Sequence, residues 1–114
     1  MLHINFVLPD IIINDLNSII NNFSRSRFSD NIKKIILFGS FASGTYQPDS
    51  DIDIAVVVKS KPEKIHLADY YIIADSIQRD VDLLFCLEEQ LLSGKYVYSE
   101  ISREGVILYE NARG

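Results

Sequence analysis

Ile12, Leu16, Ile19, Ile20 and Phe23 recur at i, i+4, i+7, i+8 and i+11, which is one apolar stripe on an α-helix. Pro9-Asp10 suits the start of that helix, and Asn14, Asp15, Asn17, Ser18, Asn21 and Asn22 fill the opposite, polar face. The cluster Ser24-Arg25-Ser26-Arg27, with Ser29-Asp30 beyond it, predicts a loop. Ile35-Ile36-Leu37-Phe38 is a short continuous apolar run that stops at Gly39, the pattern of a strand buried on both faces. Asp51 to Val58 predicts a second such strand. Pro62 breaks the chain, and Leu67, Tyr70, Ala74 and Ile77 then give the next helix an apolar face. Val81 to Phe85 reads as a third strand, Glu88 to Leu92 as a helical turn, and Gly94 as a break. Tyr96 to Arg103 predicts another helix, Gly105 its C′ cap, and Val106 to Tyr109 a final strand. The stretch between the first two strands is too short for a crossover helix. The expected fold class is therefore α/β (α+β), a mixed β-sheet flanked by helices.

Composition narrows this. With 114 residues and neither repeats nor a Gly/Ser linker, the expectation is a single domain spanning 1–114. A formal net charge of −5 argues against direct nucleic-acid binding or attachment to an anionic membrane by bulk electrostatics. If the protein handles a polyanion, something other than lysine must neutralise it. Cys86 is the one cysteine and cannot form an internal disulfide. No leader pattern and no membrane-length apolar run is evident, so the expected location is cytoplasmic.

The chemistry concentrates in Phe38-Gly39-Ser40-Phe41-Ala42-Ser43-Gly44-Thr45-Tyr46-Gln47-Pro48-Asp49-Ser50-Asp51-Ile52-Asp53. Gly39, without a Cβ, lets backbone approach a bulky ligand. Ser40 can open a short helical turn whose N–H groups and hydroxyl suit an anion. Asp51 and Asp53, two apart on a strand, direct both carboxylates to one face while Ile52 and Ile54 take the other. Asp82 lies in the apolar strand after Arg79-Asp80, and if that strand neighbours Asp51 and Asp53, three carboxylates converge. Such a cluster requires protons or bridging cations, and Mg²⁺ prefers carboxylate and phosphate oxygens. Asp80 has the same strand parity as Asp82 and is the alternative third acid.

Gly39-Ser40, ten residues, then Asp51-Ile52-Asp53 resembles the signature of the DNA polymerase β nucleotidyltransferase superfamily. The context resembles its minimal nucleotidyltransferases, small prokaryotic proteins encoded beside a helical HEPN partner. Val81-Asp82-Leu83-Leu84 looks like the strand that carries the family's third acid, and Ile101 to Glu110 is similar to its usual close. The resemblance implies a DNA polymerase β-like nucleotidyltransferase fold and an enzyme that moves a nucleoside monophosphate, AMP from ATP, onto a hydroxyl. By resemblance Gly39 and Ser40 would bind the β- and γ-phosphates. Asp51, Asp53 and Asp82 would be the catalytic, metal-binding acids for two Mg²⁺ ions, with Mn²⁺ as an alternative. The acceptor would be a tyrosine of a HEPN toxin in a hetero-oligomer, which makes this chain the antitoxin. Two other readings stay open: a catalytically idle nucleotide-binding antitoxin that acts by contact, and a subunit that modifies a small molecule such as an antibiotic.

Other residues have plainer expected roles. His3 and His66 lack a second ligand at metal-site spacing, and Cys86 reads as a small core residue. Lys33 and Lys34 read as a solvated strand start, and Asp49 as part of a turn. Tyr70, Tyr71, Tyr96 and Tyr98 are candidates for an interface or for amphipathic packing.

Overall fold

Helix α1 spans Asp10–Ser24 and buries Ile12, Leu16, Ile19 and Phe23, the stripe expected from spacing. Each such side chain stabilises the fold by about 1.5–3 kcal/mol on burial. The computed structural model describes residues 8–111, so His3 lies outside the described residues. Asn22 departs from the expected polar face. It is buried, and its Nδ2 donates to the carbonyl oxygens of Ile73 at 2.8 Å and Asp75 at 3.0 Å. A polar side chain is tolerated there because its donors are satisfied by the end of the next long helix.

A 3₁₀ turn at Ser29–Asn31 leads into β1, Ile32–Phe38. The strand opens at Ile32, just ahead of the lysines expected to start it; Lys34 pairs with Val57 and Glu110, the register slips at Lys33, and both lysines are ion-paired with Glu88. A four-residue helix, α2 (Ser40–Ser43), precedes β2 (Ile52–Val58), which is followed by α3 (Leu67–Ile73) and β3 (Val81–Leu87). Helices α4 (Glu88–Leu92) and α5 (Val97–Glu104) come before the last strand, β4 (Val106–Glu110). The sheet order is β3-β2-β1-β4, with β1 antiparallel to both β2 and β4, and β2 parallel to β3. The mixed sheet is as expected.

Side chains alternate across the sheet. Ile52, Ile54, Val56 and Val58 face a larger core shared with α1 and Ile73 of α3. Ala55 and Val57 face a smaller one with Ile36, Cys86, Leu91 and Ile101, covered by α4 and α5. The expected apolar face is corrected at Leu67, which is 66% exposed; Tyr70, Ala74 and Ile77 pack against the larger core as expected, and Ile73 is the fully buried anchor. Helix α3 ends at Ile73, so Ala74 and Ile77 fall beyond it. Asp69 holds its start by accepting from the His66 N–H at 2.9 Å and from Arg27 Nε at 3.0 Å. Gly105 is not a left-handed cap; it is extended, at φ −65° and ψ 146°. Glycine is needed for space: a Cβ there would lie 2.7 Å from Ile36 Cγ2 and nearer still to the Ile101 carbonyl oxygen. Among the described residues no helix is long and apolar enough to cross a membrane.

Candidate active site

The end of β1 and the start of β2 meet the start of β3 at one edge of the smaller core. Phe38 pairs with Asp53 across the antiparallel ladder, and Asp53 pairs with Asp82 across the parallel one. Alternation then puts Asp53 and Asp82 on the same face as Ala55, Val57 and Cys86. The two carboxyl groups are close enough for Asp82 to act on Asp53. Asp51 lies just before β2, outside the ladder, and is exposed. Asp80 is also outside β3; its carbonyl accepts from the Ile52 N–H at 3.0 Å, and its side chain lines an open cleft with Asp49, Asp51 and Gln78. The register therefore sets Asp82, not Asp80, beside Asp53.

Gly39 takes φ 75° and ψ −155°, backbone open to glycine and strained for other residues. A Cβ at this position would sit 2.9 Å from Asp53 Cγ and 3.2 Å from its Cβ, with Oδ2 closer still. Gly39 is thus in direct packing contact with the acid, a role for this glycine additional to ligand approach. The first bonds of α2 run from the Ala42 and Ser43 N–H groups to the Gly39 carbonyl at 3.1 and 3.0 Å. The N–H groups of Ser40 and Phe41 lie ahead of that bonding, at the positive end of the turn. Phe41 anchors the turn in the core, 1% exposed, and stacks on Tyr46 with ring centroids 4.8 Å apart. Ser43 and Thr45 hydroxyls bond one another at 2.8 Å on the exposed side of the loop.

Electrostatics mark Asp53. Burial first, then the Asp82 carboxylate, then Asp51 and Glu100, raise its pKa from 3.8 to about 6. An all-oxygen donor set held under mutual repulsion fits a hard divalent cation. Among the described residues, however, no three His, Cys, Asp or Glu side chains are grouped closely enough to hold a metal ion. The expected convergence of three carboxylates is thus realised as a close pair, Asp53 and Asp82, with Asp51 one step outside. A cation here would need further oxygen ligands from outside these side chains.

Sequence reasoning missed two residues. Glu100 comes from α5, whose seat across the sheet no local pattern reveals. Arg79 donates to the carbonyl oxygens of Ser50 at 2.8 Å and Pro48 at 3.3 Å, so it is bound to the loop that carries Asp51. The expectation for Cys86 is met, whereas Lys33 and Lys34 are not solvated, with side chains 25% and 22% exposed. Cys86 is fully buried, and burial raises its thiol pKa, the opposite of activation. Lys33 and Lys34 sit at the far end of β1 from Gly39 and pair with Glu88, away from any phosphate at Ser40. The Tyr70 hydroxyl accepts from the Val81 N–H at 3.2 Å, Tyr98 packs on the smaller core, and Tyr71 and Tyr96 are exposed.

The family model described as "Polymerase beta, Nucleotidyltransferase" matches residues 17–114. The chain is 56% identical over 36 residues to "Putative protein adenylyltransferase MJ0604" of Methanocaldococcus jannaschii, a match covering 32% of this chain and 36% of that protein. It is 40% identical over 52 residues to "Putative protein adenylyltransferase MJ1305" of the same organism, covering 43% of this chain and 35% of the relative. The chain therefore spans about a third of the length of these curated relatives. Among solved structures, a toxin–antitoxin complex with AMP-PNP has TM-score 0.61 at 26% identity, covering 87% of this chain and 76% of that one. With the family match running through nearly the whole chain and the fold shared with that structure, this protein belongs to the Polymerase beta, Nucleotidyltransferase family.

Proposed function

We propose that the protein transfers AMP from ATP to a tyrosine hydroxyl on a helical HEPN-type partner, acting in the cytoplasm as the antitoxin of a toxin–antitoxin pair. The observation that carries this reading is the contact between the Gly39-Ser40 turn and the Asp53–Asp82 pair. It brings an anion-binding turn and an acidic cluster into one site, as phosphoryl transfer requires. The adenylyltransferase names of the relatives and the AMP-PNP in the toxin–antitoxin structure support the choice of nucleotide and partner.

In this reading the Ser40 hydroxyl and the N–H groups of Ser40 and Phe41 hold the β- and γ-phosphates. Asp51 and Asp53, with Asp82, would hold two divalent ions, Mg²⁺ or Mn²⁺, which when bound neutralise the triphosphate and the developing charge. Asp82 faces the acceptor and takes the proton from its hydroxyl. The acceptor O–H bond breaks and an O–P bond forms at the α-phosphorus. The bond from the α-phosphorus to the bridging oxygen breaks, and pyrophosphate departs with that electron pair. Asp53 keeps Asp82 in place through the ladder and shares its charge with the cation.

The test is intact-mass spectrometry of the protein encoded beside this chain, after incubation with this protein, ATP and Mg²⁺. The reading expects a gain of one adenylyl group on the partner, abolished by Asp53→Asn. An unmodified partner whose inhibition survives Asp53→Asn would instead establish inhibition by contact alone.

A further inference from the structure

Arg79 touches both halves of the site without reaching any group that would meet nucleotide. Its Nη1 donates to the carbonyl oxygens of Ser50 and Pro48, so it grips the residue immediately before Asp51. Its guanidinium carbon lies 5.4 Å from the centroid of the Phe41 ring, and Phe41 immediately follows Ser40. Its Nε stands 3.9 Å from Asp15 Oδ2 of α1, with 19% of the Arg79 side chain and 13% of the Asp15 side chain exposed. One planar cation is thereby fixed to the core helix, the phosphate turn and the acid loop at once.

This matters because Asp51 has no ladder to hold it. Asp53 and Asp82 are set by paired strands, whereas the 47–51 loop is tied by the Ser50 N–H to the Gln47 carbonyl at 3.1 Å and by the Gln47 N–H to Ser50 Oγ at 2.8 Å. Those bonds close the turn on itself; the Thr45 N–H bond to the Ser40 carbonyl at 3.1 Å and the stacking of Tyr46 on Phe41 hold the start of the loop, which leaves its far end at Pro48 and Ser50, next to Asp51, to be held against the Ser40 turn. Arg79 holds it.

Resting on the function proposed above, we propose that Arg79 is a positioning residue that sets Asp51 relative to the Ser40 turn and so tunes the affinity of the site for its divalent cation. The bond to the Pro48 carbonyl is exposed and that to Ser50 only partly buried, so water can replace both and their loss should free the loop without unfolding the sheet.

The test compares Arg79→Ala and Arg79→Lys with wild type in amide hydrogen exchange, thermal midpoint, and the Mg²⁺ concentration giving half-maximal transfer. Arg79→Ala is expected to speed exchange at Gln47 and Ser50 about tenfold, with the Ile54 to Val57 amides unchanged. The half-saturating Mg²⁺ concentration is expected to rise about tenfold as well. Arg79→Lys, which keeps one charged donor but lacks the planar fork, should recover part of both effects. The proposal is overturned if Gln47 and Ser50 exchange as in wild type. It is equally overturned if the thermal midpoint drops while half-saturating Mg²⁺ stays fixed, the signature of a purely structural brace. Should Arg79→Ala not fold, Arg79→Lys decides by the same two readouts. A wild-type protein that transfers nothing would defeat the functional reading itself, and this inference with it.

Discussion

Replacing Gly39 by alanine perturbs the site without altering any charge, and two separate costs follow. The backbone sits at φ 75°, ψ −155°, and holding an alanine there costs about 1–3 kcal/mol. The added methyl would also lie 2.9 Å from Asp53 Cγ and 3.2 Å from its Cβ, with Oδ2 nearer, so the carboxylate must turn away. A double-mutant cycle with Asp53→Ala separates the two, because that change removes Oδ2 and Cγ and leaves only the 3.2 Å neighbour. Urea unfolding at neutral pH without divalent cation measures each corner of the cycle. Gly39→Ala is expected to cost about 2–4 kcal/mol in the wild-type background and about 1–2 kcal/mol less when Asp53 is alanine. Equal costs in both backgrounds, within about 0.5 kcal/mol, would refute the claim that Asp53 fills the space beside Gly39. In the transfer assay the same variant should lose about 100-fold in rate, since the displaced carboxylate is one that the proposed reaction would use.

The raised carboxyl of Asp53, at about 6 against 3.8, means the folded state binds more protons than the unfolded state between about pH 4 and 6. Stability therefore falls as pH rises through that window. Because Asp53 is only half-buried, screening reduces the full effect to about 1 kcal/mol. Asp53→Asn should exceed wild type by that amount in cation-free urea melts above the window and match it below; identical pH profiles would contradict this. Asp82→Asn should lower the transfer rate at least about 100-fold while Asp80→Asn stays within about threefold, and the reverse order would mean the β3 register is misassigned. Gly105→Ala keeps a permitted backbone but drives a methyl toward the Ile101 carbonyl and Ile36 Cγ2. It should destabilise by about 1–3 kcal/mol in a thermal melt, and a wild-type melting profile would show that the gap is larger than the geometry states.

How much of this was legible before folding depends on whether a feature is local. The stripe of α1 is local, and so are the apolar runs of β1, β2 and β3; spacing alone finds them. Gly39, Ser40, Asp51 and Asp53 stand close in sequence with distinctive chemistry, which made the site visible. Asp80 and Asp82 share strand parity, so only the pairing of Asp53 with Asp82 separates them. Long-range placement hid the rest. Asn22 looks like surface until the end of α3 arrives to take its amide. Leu67 looks like core until Ile73 is the side chain that lands there. Glu100 joins the site from a helix distant in sequence, and Arg79, though only three residues before Asp82, shows its role only once the fold brings Ser50 and Pro48 to it.

The most direct test of the account is a crystal structure of the protein with a non-hydrolysable ATP analogue and Mg²⁺. The account predicts β- and γ-phosphate oxygens on the Ser40 hydroxyl and backbone, with cations bridging them to Asp51 and Asp53 and with Asp82 turned inward. A nucleotide bound anywhere else, or phosphates on Ser40 without a cation on those carboxylates, would contradict it.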